Sequence, residues 1–212
     1  MAQFMLVGDV HGCYYTLKEL LDQHWDRDAE RLIFLGDLVN KGKHSRKVLR
    51  FLMDLTQRFP QKVLVLKGNN EVLFWEKYHY SYASKGVRKF EKSGLNKQAT
   101  LNWVKSLPHF LDGEHFFISH AGIPKKHALP LMDDDDVVLF NRKPLKNIGK
   151  TQFLGHIVVD APFYSQKENA WYLDTGAGYG HRLSALKIQS DAQVLSVISL
   201  TVDSRDVKKG NI

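Results

Sequence analysis

Three short apolar segments near the start of the chain each run into a glycine and then a polar side chain. The segments are 4–7, 32–35 and 63–66, and their polar endings are Gly8-Asp9, Gly36-Asp37 and Gly68-Asn69. Glycine at such a position lets the backbone turn and approach a ligand closely. Because ligands bind beyond the carboxyl ends of strands in open α/β sheets, three such endings in succession predict a functional site at one edge of a sheet.

The spacing of apolar residues between these segments indicates helices. Two stripes recur every three or four positions, as on the buried face of an amphipathic helix. They consist of Leu17, Leu20, Leu21 and Trp25, and of Val48, Leu49, Leu52, Leu55 and Phe59. Strands that alternate with helices imply βαβ units and a parallel core.

The second half of the chain has a different pattern. Residues 70–107 are predicted to be mainly helical, and apolar runs then predict strands at 116–119, 137–140, 152–154, 171–173, 183–188 and 194–200. Only short polar turns separate the last of these runs, so we expect antiparallel pairing there. The 212 residues fit a single domain over 1–212. We therefore expect an α/β fold of two packed mixed sheets with helices outside, and a frayed polar end over 203–212.

Composition narrows the classes of partner. The 30 basic and 23 acidic residues give a net charge of +7, which favours anionic partners such as phosphate esters or nucleotides. The single cysteine, Cys13, excludes an internal disulfide framework and a cysteine-based zinc site. No apolar run approaches the ~18 residues of a membrane span, and the N-terminus lacks a basic signal-type region. We therefore expect a cytoplasmic protein without a membrane partner. The sequence has no helix-turn-helix or zinc-finger pattern, so we expect no sequence-specific nucleic-acid partner.

Six side chains at the predicted strand ends are candidate metal ligands. They are Asp9, His11, Asp37, Asn69, His120 and His156. Asp9 and His11 are two positions apart, so in an extended segment both point to the same side and can hold one ion. Six oxygen and nitrogen ligands exceed the four of a usual zinc site. They suit two ions, with Asp37 bridging both.

A pair of divalent ions would make this site positive. Their charge exceeds that of the two carboxylates, Asp9 and Asp37, so a phosphate is the natural ligand. Ions about 3.5–4 Å apart can share a hydroxide that attacks phosphorus in line. Lys41 and Arg142 would add positive charge to the same site.

Five short motifs follow one another in a fixed order. They are Asp9-Val10-His11-Gly12, Gly36-Asp37, Gly68-Asn69, His120-Ala121-Gly122 and Gly155-His156. Together they resemble the calcineurin-like metallophosphoesterases, most closely the phosphoprotein phosphatase branch with bacteriophage lambda phosphatase and the symmetric diadenosine tetraphosphate hydrolases. The resemblance implies a four-layer α/β/β/α sandwich and two divalent metal ions, manganese first, with iron or zinc as alternatives.

Two later segments extend the resemblance. Residues 139–142 resemble the segment that carries a phosphate-binding arginine, here Arg142, and residues 173–177 resemble a late strand-and-turn motif. The resemblance implies a phosphorylated small molecule or nucleotide as substrate. A phosphoprotein is the second candidate.

The chain departs from the family pattern at the residues that donate a proton to the leaving group and at the neighbouring phosphate-binding position. The family's second motif ends in Asp-Arg-Gly, but this chain has Asn40-Lys41-Gly42, and Asn70 stands where the family has its general-acid histidine. An amide cannot deliver a proton at neutral pH, although it can donate a hydrogen bond to a leaving oxygen. Since general acid catalysis contributes roughly 10²–10⁴-fold, its loss predicts a preference for phosphoanhydrides or aryl phosphates over alkyl phosphates. The catalytic candidates are thus Asn40, Lys41, Asn70 and Arg142.

The sequence leaves three functions open. The first is hydrolysis of dinucleoside polyphosphates, the second is a serine, threonine or tyrosine protein phosphatase, and the third is a phosphate-binding pseudophosphatase with little turnover. Replacement of the missing acid by His44 or His79 is a minor hypothesis.

Other clusters have simpler interpretations. The aromatic run Phe74, Trp75, Tyr78, His79, Tyr80 and Tyr82 is expected to pack a helix rather than to stack a nucleobase. The cations Lys85, Arg88, Lys89 and Lys92 are expected to form a surface face that can steer a polyanion, and the aspartates at 133–136 a solvated loop.

Overall fold

The computed structural model describes residues 2–80 and 93–208. The strands within these ranges are β1 (Gln3–Val7), β2 (Glu30–Phe34), β3 (Val63–Val65), β4 (Phe110–Asp112), β5 (Phe116–Ser119), β6 (Thr151–Leu154), β7 (Phe163–Ser165), β8 (Ala170–Tyr172), β9 (Arg182–Gln189) and β10 (Val194–Thr201). The helices are α1 (Tyr14–His24), α2 (Ser45–Arg58), α3 (Asn69–His79), α4 (Lys97–Ser106) and α5 (Val137–Phe140).

The strands form two mixed five-stranded sheets. The first has the order β10-β9-β1-β2-β3, in which β1, β2 and β3 are parallel and β9 and β10 are antiparallel. The second has the order β4-β5-β6-β8-β7, with a parallel centre and antiparallel edges. The prediction of two mixed sheets is confirmed, although the short edge strands β4 and β7 were not predicted.

Alternation along the strands divides the core into layers. On β1, Met5 and Val7 face the helices α1 and α2, whereas Phe4 and Leu6 face the second sheet and pack with residues such as Phe153. Successive side chains of a strand point to opposite faces, so β1 contributes to both apolar layers. The predicted helix stripes are buried except for Phe59, which is partly exposed and packs against the same core. On the outer face of the second sheet, α5 packs on β5. This is the four-layer α/β/β/α arrangement.

Residues 137–140 form the helical turn α5, so the prediction of a strand there is wrong. An apolar run of four residues does not distinguish a buried strand from a buried helical turn by periodicity. The aspartates before it decide the outcome, because Asp135 Oδ1 accepts a hydrogen bond from Val137 N at 3.0 Å and the Asp136 carbonyl accepts one from Leu139 N at 2.9 Å.

The polar end is also more ordered than expected as far as residue 208. Asp206 is fully buried, and its carboxylate accepts hydrogen bonds from the Tyr15 and Thr16 backbone N–H groups at 3.1 and 2.8 Å and from the Thr16 hydroxyl at 2.9 Å. A single buried carboxylate thereby fixes this segment to the start of α1. Because α1, α2 and α3 start just beyond the carboxyl ends of β1, β2 and β3, all these loops lie at one edge of the sheet.

Candidate active site

The six predicted ligands follow the ends of five strands, five of them on loops and Asn69 as the first residue of α3. Asp9 and His11 follow β1, and Asp37 and Asn69 follow β2 and β3, all in the first sheet. His120 and His156 follow β5 and β6 of the second sheet. All but the partly exposed Asn69 are buried. The packing of the two sheets thus brings together residues that are up to 147 positions apart.

The backbone at three of these residues is held in the left-handed region. His11, Asp37 and His156 have φ values of 46°, 51° and 62°. For residues other than glycine such conformations cost of order 1–3 kcal/mol each and are found where the surrounding structure fixes them. The strain turns each side chain toward the common centre.

The glycines at the strand ends allow close approach. A Cβ atom at Gly155 would overlap Asp9 Oδ1, and one at Gly68 would overlap Asp37 Oδ1. These two glycines are therefore needed as packing space for a candidate ligand, whereas a Cβ at Gly8 or Gly36 would overlap the backbone of Leu173 or Gly68.

The acidic and histidine side chains form two groups of possible ligands. One group is Asp37, His120 and His156, and the other is Asp9, His11 and Asp174; within each, the possible ligand atoms lie within 4.8 Å of one another. Asp37 lies between the two groups, because its Oδ2 is 3.4 Å from His11 Nε2 and its Oδ1 is 3.4 Å from His120 Nε2. This position is compatible with the predicted bridging role of Asp37, which stays a prediction.

Asn69 completes the first group. Its Oδ1 lies 3.0 Å from His120 Nε2 and 3.0 Å from His156 Nδ1. The two histidine nitrogens are themselves 3.1 Å apart. All six predicted ligands are therefore gathered at one place.

The hydrogen bonds of the histidines assign their tautomers. His11 Nδ1 lies 2.9 Å from the Val39 carbonyl, and His120 Nδ1 lies 2.9 Å from the Leu35 carbonyl. A carbonyl only accepts, so each Nδ1 carries the proton and each Nε2 presents a lone pair to the centre. These lone pairs converge with carboxylate and amide oxygens, which are the donor atoms of a metal site. The donor set therefore fits two divalent ions.

The pKa shifts of the carboxylates and histidines in the site are also compatible with bound divalent ions. Burial raises the pKa of Asp9, and the negative charges of Asp174 and Asp37 raise it further. Burial lowers the pKa of His156 to about 3, with contributions from His120 and from the positive charge of Arg142. A bound divalent cation would reverse the repulsion among the carboxylates, and it requires neutral histidines such as this one.

Asp174 was not predicted as a ligand. It is buried directly after β8, and its Oδ1 accepts a hydrogen bond from Gly176 N at 2.9 Å. The sequence feature that could have identified Asp174 as a candidate ligand was its position after a predicted strand. The resemblance had singled out its segment only as a late turn.

Glu71 connects the loops that carry Asp37 and Asn69. Its buried carboxylate accepts hydrogen bonds from the backbone N–H groups of Asp37, Leu38 and Gly68 at 2.7, 2.9 and 2.9 Å. Burial raises its pKa to about 8, and the charge of Asp37 contributes to the rise. Glu71 touches no open space in the site and acts by positioning Asp37.

Asn40 and Asn70 occupy the positions of the missing acid pair and are hydrogen-bonded to each other. Asn40 Nδ2 donates to Asn70 Oδ1 at 2.6 Å, and Asn70 Nδ2 donates to Asp37 Oδ2 at 2.6 Å. The backbone N–H of Asn70 also donates to Asp37 Oδ1 at 2.9 Å. The two amides form a chain that ends on the central carboxylate.

The two predicted phosphate-binding cations lie on different sides of the site. Lys41 Nζ lies 2.9 Å from His11 Nε2 and 4.5 Å from the centre of the Tyr179 ring. Arg142 is exposed, and its charge acts on His156. Their roles toward phosphate stay predictions.

The minor hypotheses gain no support from the geometry. His44 Nε2 lies 2.8 Å from the Arg205 carbonyl, and His79 stacks on Trp75 with ring centres 4.2 Å apart. Phe74, Trp75 and Tyr78 pack in the helix-side core, as expected for helix packing, whereas His79 and Tyr80 are exposed. Tyr82 and the cations Lys85, Arg88, Lys89 and Lys92 lie outside the described residues.

Comparison with known proteins gives the family. The family described as calcineurin-like phosphoesterase matches residues 2–181, so the chain belongs to the calcineurin-like phosphoesterases.

Within the described residues, no helix combines the length and the apolar character needed to cross a membrane.

The curated relatives include two symmetrical bis(5'-nucleosyl)-tetraphosphatases. The one from Nitrosococcus oceani is 28% identical over 167 residues, which are 74% of this chain and 56% of that protein. The one from Vibrio campbellii is 30% identical over 139 residues, which are 61% of this chain and 46% of that protein. The chain thus spans about half the length of these relatives.

Solved structures share the fold. The crystal structure of a "putative diadenosine tetraphosphatase" has a TM-score of 0.73 at 23% identity and covers 99% of this chain and 95% of its own. A protein serine/threonine phosphatase from Saccharomyces cerevisiae has a TM-score of 0.69 at 16% identity, covering 96% and 80%.

Proposed function

We propose that this chain is a metal-dependent phosphoesterase that hydrolyses phosphoanhydrides or activated phosphate esters with two divalent ions, Mn²⁺ first among them. The observation that carries the proposal is the position of Asp37, whose two oxygens each lie 3.4 Å from a histidine of a different ligand group. Two bound cations would polarise the phosphoryl oxygens and supply the nucleophile at neutral pH.

Each of the two ligand groups would bind one of the two ions. Asp9 and His11, joined by Asp174, would hold one ion, and Asn69, His120 and His156 the other. Asp37 would bind both. Carboxylate and imidazole ligands suit manganese, iron and zinc, so the donor set is compatible with each of these metals.

Asn70 would act on the leaving group as a hydrogen-bond donor. Its Oδ1 accepts from Asn40, so its Nδ2 faces Asp37. The Nδ2 group has two N–H bonds, and Asp37 uses only one of them. The second N–H is available to a leaving oxygen, which it can stabilise without transferring a proton.

Lys41 and Arg142 would hold the non-bridging oxygens. Lysine provides a point charge without the bidentate geometry of arginine, so Lys41 would bind phosphate more loosely than the arginine that the family has there. Because Asn70 cannot donate a proton, the leaving group must be a good one. Dinucleoside polyphosphates meet this requirement because a nucleotide leaves as a phosphate anion, and two curated relatives are named for that reaction.

Steady-state kinetics with added Mn²⁺ test the proposal. The purified protein should hydrolyse p-nitrophenyl phosphate and diadenosine tetraphosphate well and an alkyl phosphate such as β-glycerophosphate poorly. Asp37→Asn should abolish turnover and reduce bound Mn²⁺. The matched control is Asp22→Asn, because Asp22 is exposed on α1.

The two other functions have their own outcomes in the same assay. A phosphopeptide that is hydrolysed much faster than the dinucleotide would identify a protein phosphatase. Tight Mn²⁺ binding without turnover of any phosphoester or anhydride would identify a pseudophosphatase and overturn the proposal.

A further inference from the structure

An exposed aromatic ring lies beside Arg142. The side chain of Phe140, the last residue of α5, is 43% exposed. It lines a cavity of about 660 Å³ between the segments 124–127 and 137–144. Cavities of ≈ 300–1,000 Å³ are typical of small-molecule sites.

The cavity is attached directly to the loop that carries His120. The backbone N–H of Ala121 donates to the Val138 carbonyl of α5 at 2.6 Å, and Asn141 Nδ2 donates to the Ala121 carbonyl at 3.3 Å. Arg142, which directly follows Asn141, also lines the cavity. The cavity and the candidate metal site are therefore neighbours, joined through Ala121, the residue after His120.

The charged residues that line the cavity are all positive. Lys125, Lys126, Arg142 and Lys143 line the cavity together with the apolar side chains around Phe140, and no carboxylate lines it. The remaining titratable neighbour, His127, is paired with Asp135 at 2.9 Å. The surface thus offers an aromatic ring to a planar group and four cations to an anionic group.

We propose that this cavity binds the base and ribose of a nucleotide substrate, with the base stacked on Phe140 and the phosphate chain passing Arg142 toward the metal site. The inference rests on the proposed phosphoesterase function and specifies its substrate class. Stacking on an aromatic side chain accepts any base, so the site selects nucleotides without selecting one base.

The position of the cavity favours a nucleotide over a phosphotyrosine side chain. None of the six predicted metal ligands lines it. The ring of phosphotyrosine is bonded directly to the phosphate oxygen and would therefore lie next to the metal ligands. A nucleobase is separated from the reacting phosphorus by the ribose and at least one phosphate, which places it farther out, across Arg142.

The test compares Phe140→Ala with the wild type on substrates with and without a base. The KM for diadenosine tetraphosphate should rise about tenfold, and ADP binding measured by calorimetry should weaken by a similar factor. The kcat/KM for p-nitrophenyl phosphate and tripolyphosphate should stay within about twofold. Phe140→Trp should restore ADP binding, and Phe163→Ala is the matched control because Phe163 is also exposed, at 53%.

The outcomes separate this inference from the proposed function. If the wild type hydrolyses p-nitrophenyl phosphate but Phe140→Ala binds ADP as tightly as the wild type does, the nucleotide site is wrong and the phosphoesterase stands. If Phe140→Ala impairs only a phosphotyrosine peptide, the inference is also overturned. If ADP binding depends on Phe140 while nothing is hydrolysed, the proposed function fails and the nucleotide site stands.

Discussion

Asn70 donates a hydrogen bond from Nδ2 to Asp37 Oδ2 at 2.6 Å, and its backbone N–H donates to the other oxygen of the same carboxylate at 2.9 Å. Asp37 is thereby held by one residue at both oxygens, and each of these oxygens also faces a histidine. Asn70, which the resemblance places where the family has a general acid, thus supports the Asp37 carboxylate. Its replacement should change the chemistry of the leaving group without removing the backbone contact.

We expect the double variant Asn40→Asp with Asn70→His to gain activity toward alkyl phosphates. The pair would restore a proton donor and its orienting carboxylate, and general acid catalysis contributes roughly 10²–10⁴-fold. The ratio of kcat for β-glycerophosphate to kcat for p-nitrophenyl phosphate should therefore rise by at least about tenfold. Asn70→Gln keeps the amide and serves as the control, and a ratio that does not change in the double variant would remove the leaving-group argument.

Replacement of Glu71 should lower stability. Glu71→Gln places an NH₂ group against some of the three backbone donors that the carboxylate now accepts, at Asp37, Leu38 and Gly68. A buried backbone donor that loses its acceptor costs ≈ 1–3 kcal/mol, so the free energy of unfolding should fall by about 1–3 kcal/mol in urea denaturation. Glu76→Gln, an exposed position on the same helix, should have no measurable effect. Equal stability of the two variants would show that Glu71 does not connect these loops.

Lys41 should contribute to phosphate binding through its charge. In Lys41→Met the KM for p-nitrophenyl phosphate should rise by roughly 10-fold or more, because hydrogen bonds to charged groups are worth ≈ 1.5–3 kcal/mol. Lys41→Arg should keep or improve the KM, since the guanidinium can bind phosphate in a bidentate manner. Metal analysis provides the check on the cause: a loss of bound Mn²⁺ in Lys41→Met would mean that Lys41 supports the ligand His11, which lies 2.9 Å away, rather than the substrate.

The site residues that could be predicted from the sequence are those whose local pattern marks the end of a strand. Asp9 and Asp37 follow a glycine at the end of an apolar run, and parallel strands place such ends at one edge of a sheet. His120 and His156 follow predicted strands of the second sheet, and the packing of the two sheets brings all four together. Asp174 also follows a predicted strand, but it has no glycine before it, and the resemblance marked its segment only as a turn.

The failures have two physical causes, one local and one distant. The segment 137–140 is apolar enough for a strand, but Val137 and Leu139 donate backbone hydrogen bonds to the aspartates just before it, which makes a helical turn. The exposure of Phe140 follows from that turn and could not be read from its sequence. The polar end was expected to fray because its binding partner, the start of α1, is about 190 positions away.

Deletion of residues 204–212 should destabilise the fold through the loss of Asp206. The residue before α1, Cys13, provides no side-chain cap, and the first turn of α1 has no acidic residue, so Asp206 provides both the hydrogen-bond acceptors and the negative charge at this helix N-terminus. Loss of an N-cap costs ≈ 0.5–2 kcal/mol, and the buried Thr16 hydroxyl would lose its acceptor as well. The melting temperature should therefore fall by about 5–10 °C, given that 1 kcal/mol corresponds to ≈ 2–4 °C for a domain of this size. Lys208→Ala, at an exposed position of the same segment, is the matched control and should leave the melting temperature unchanged, and Asp206→Ala in the full chain should reproduce most of the loss. If the deletion variant melts at the wild-type temperature, Asp206 does not cap α1.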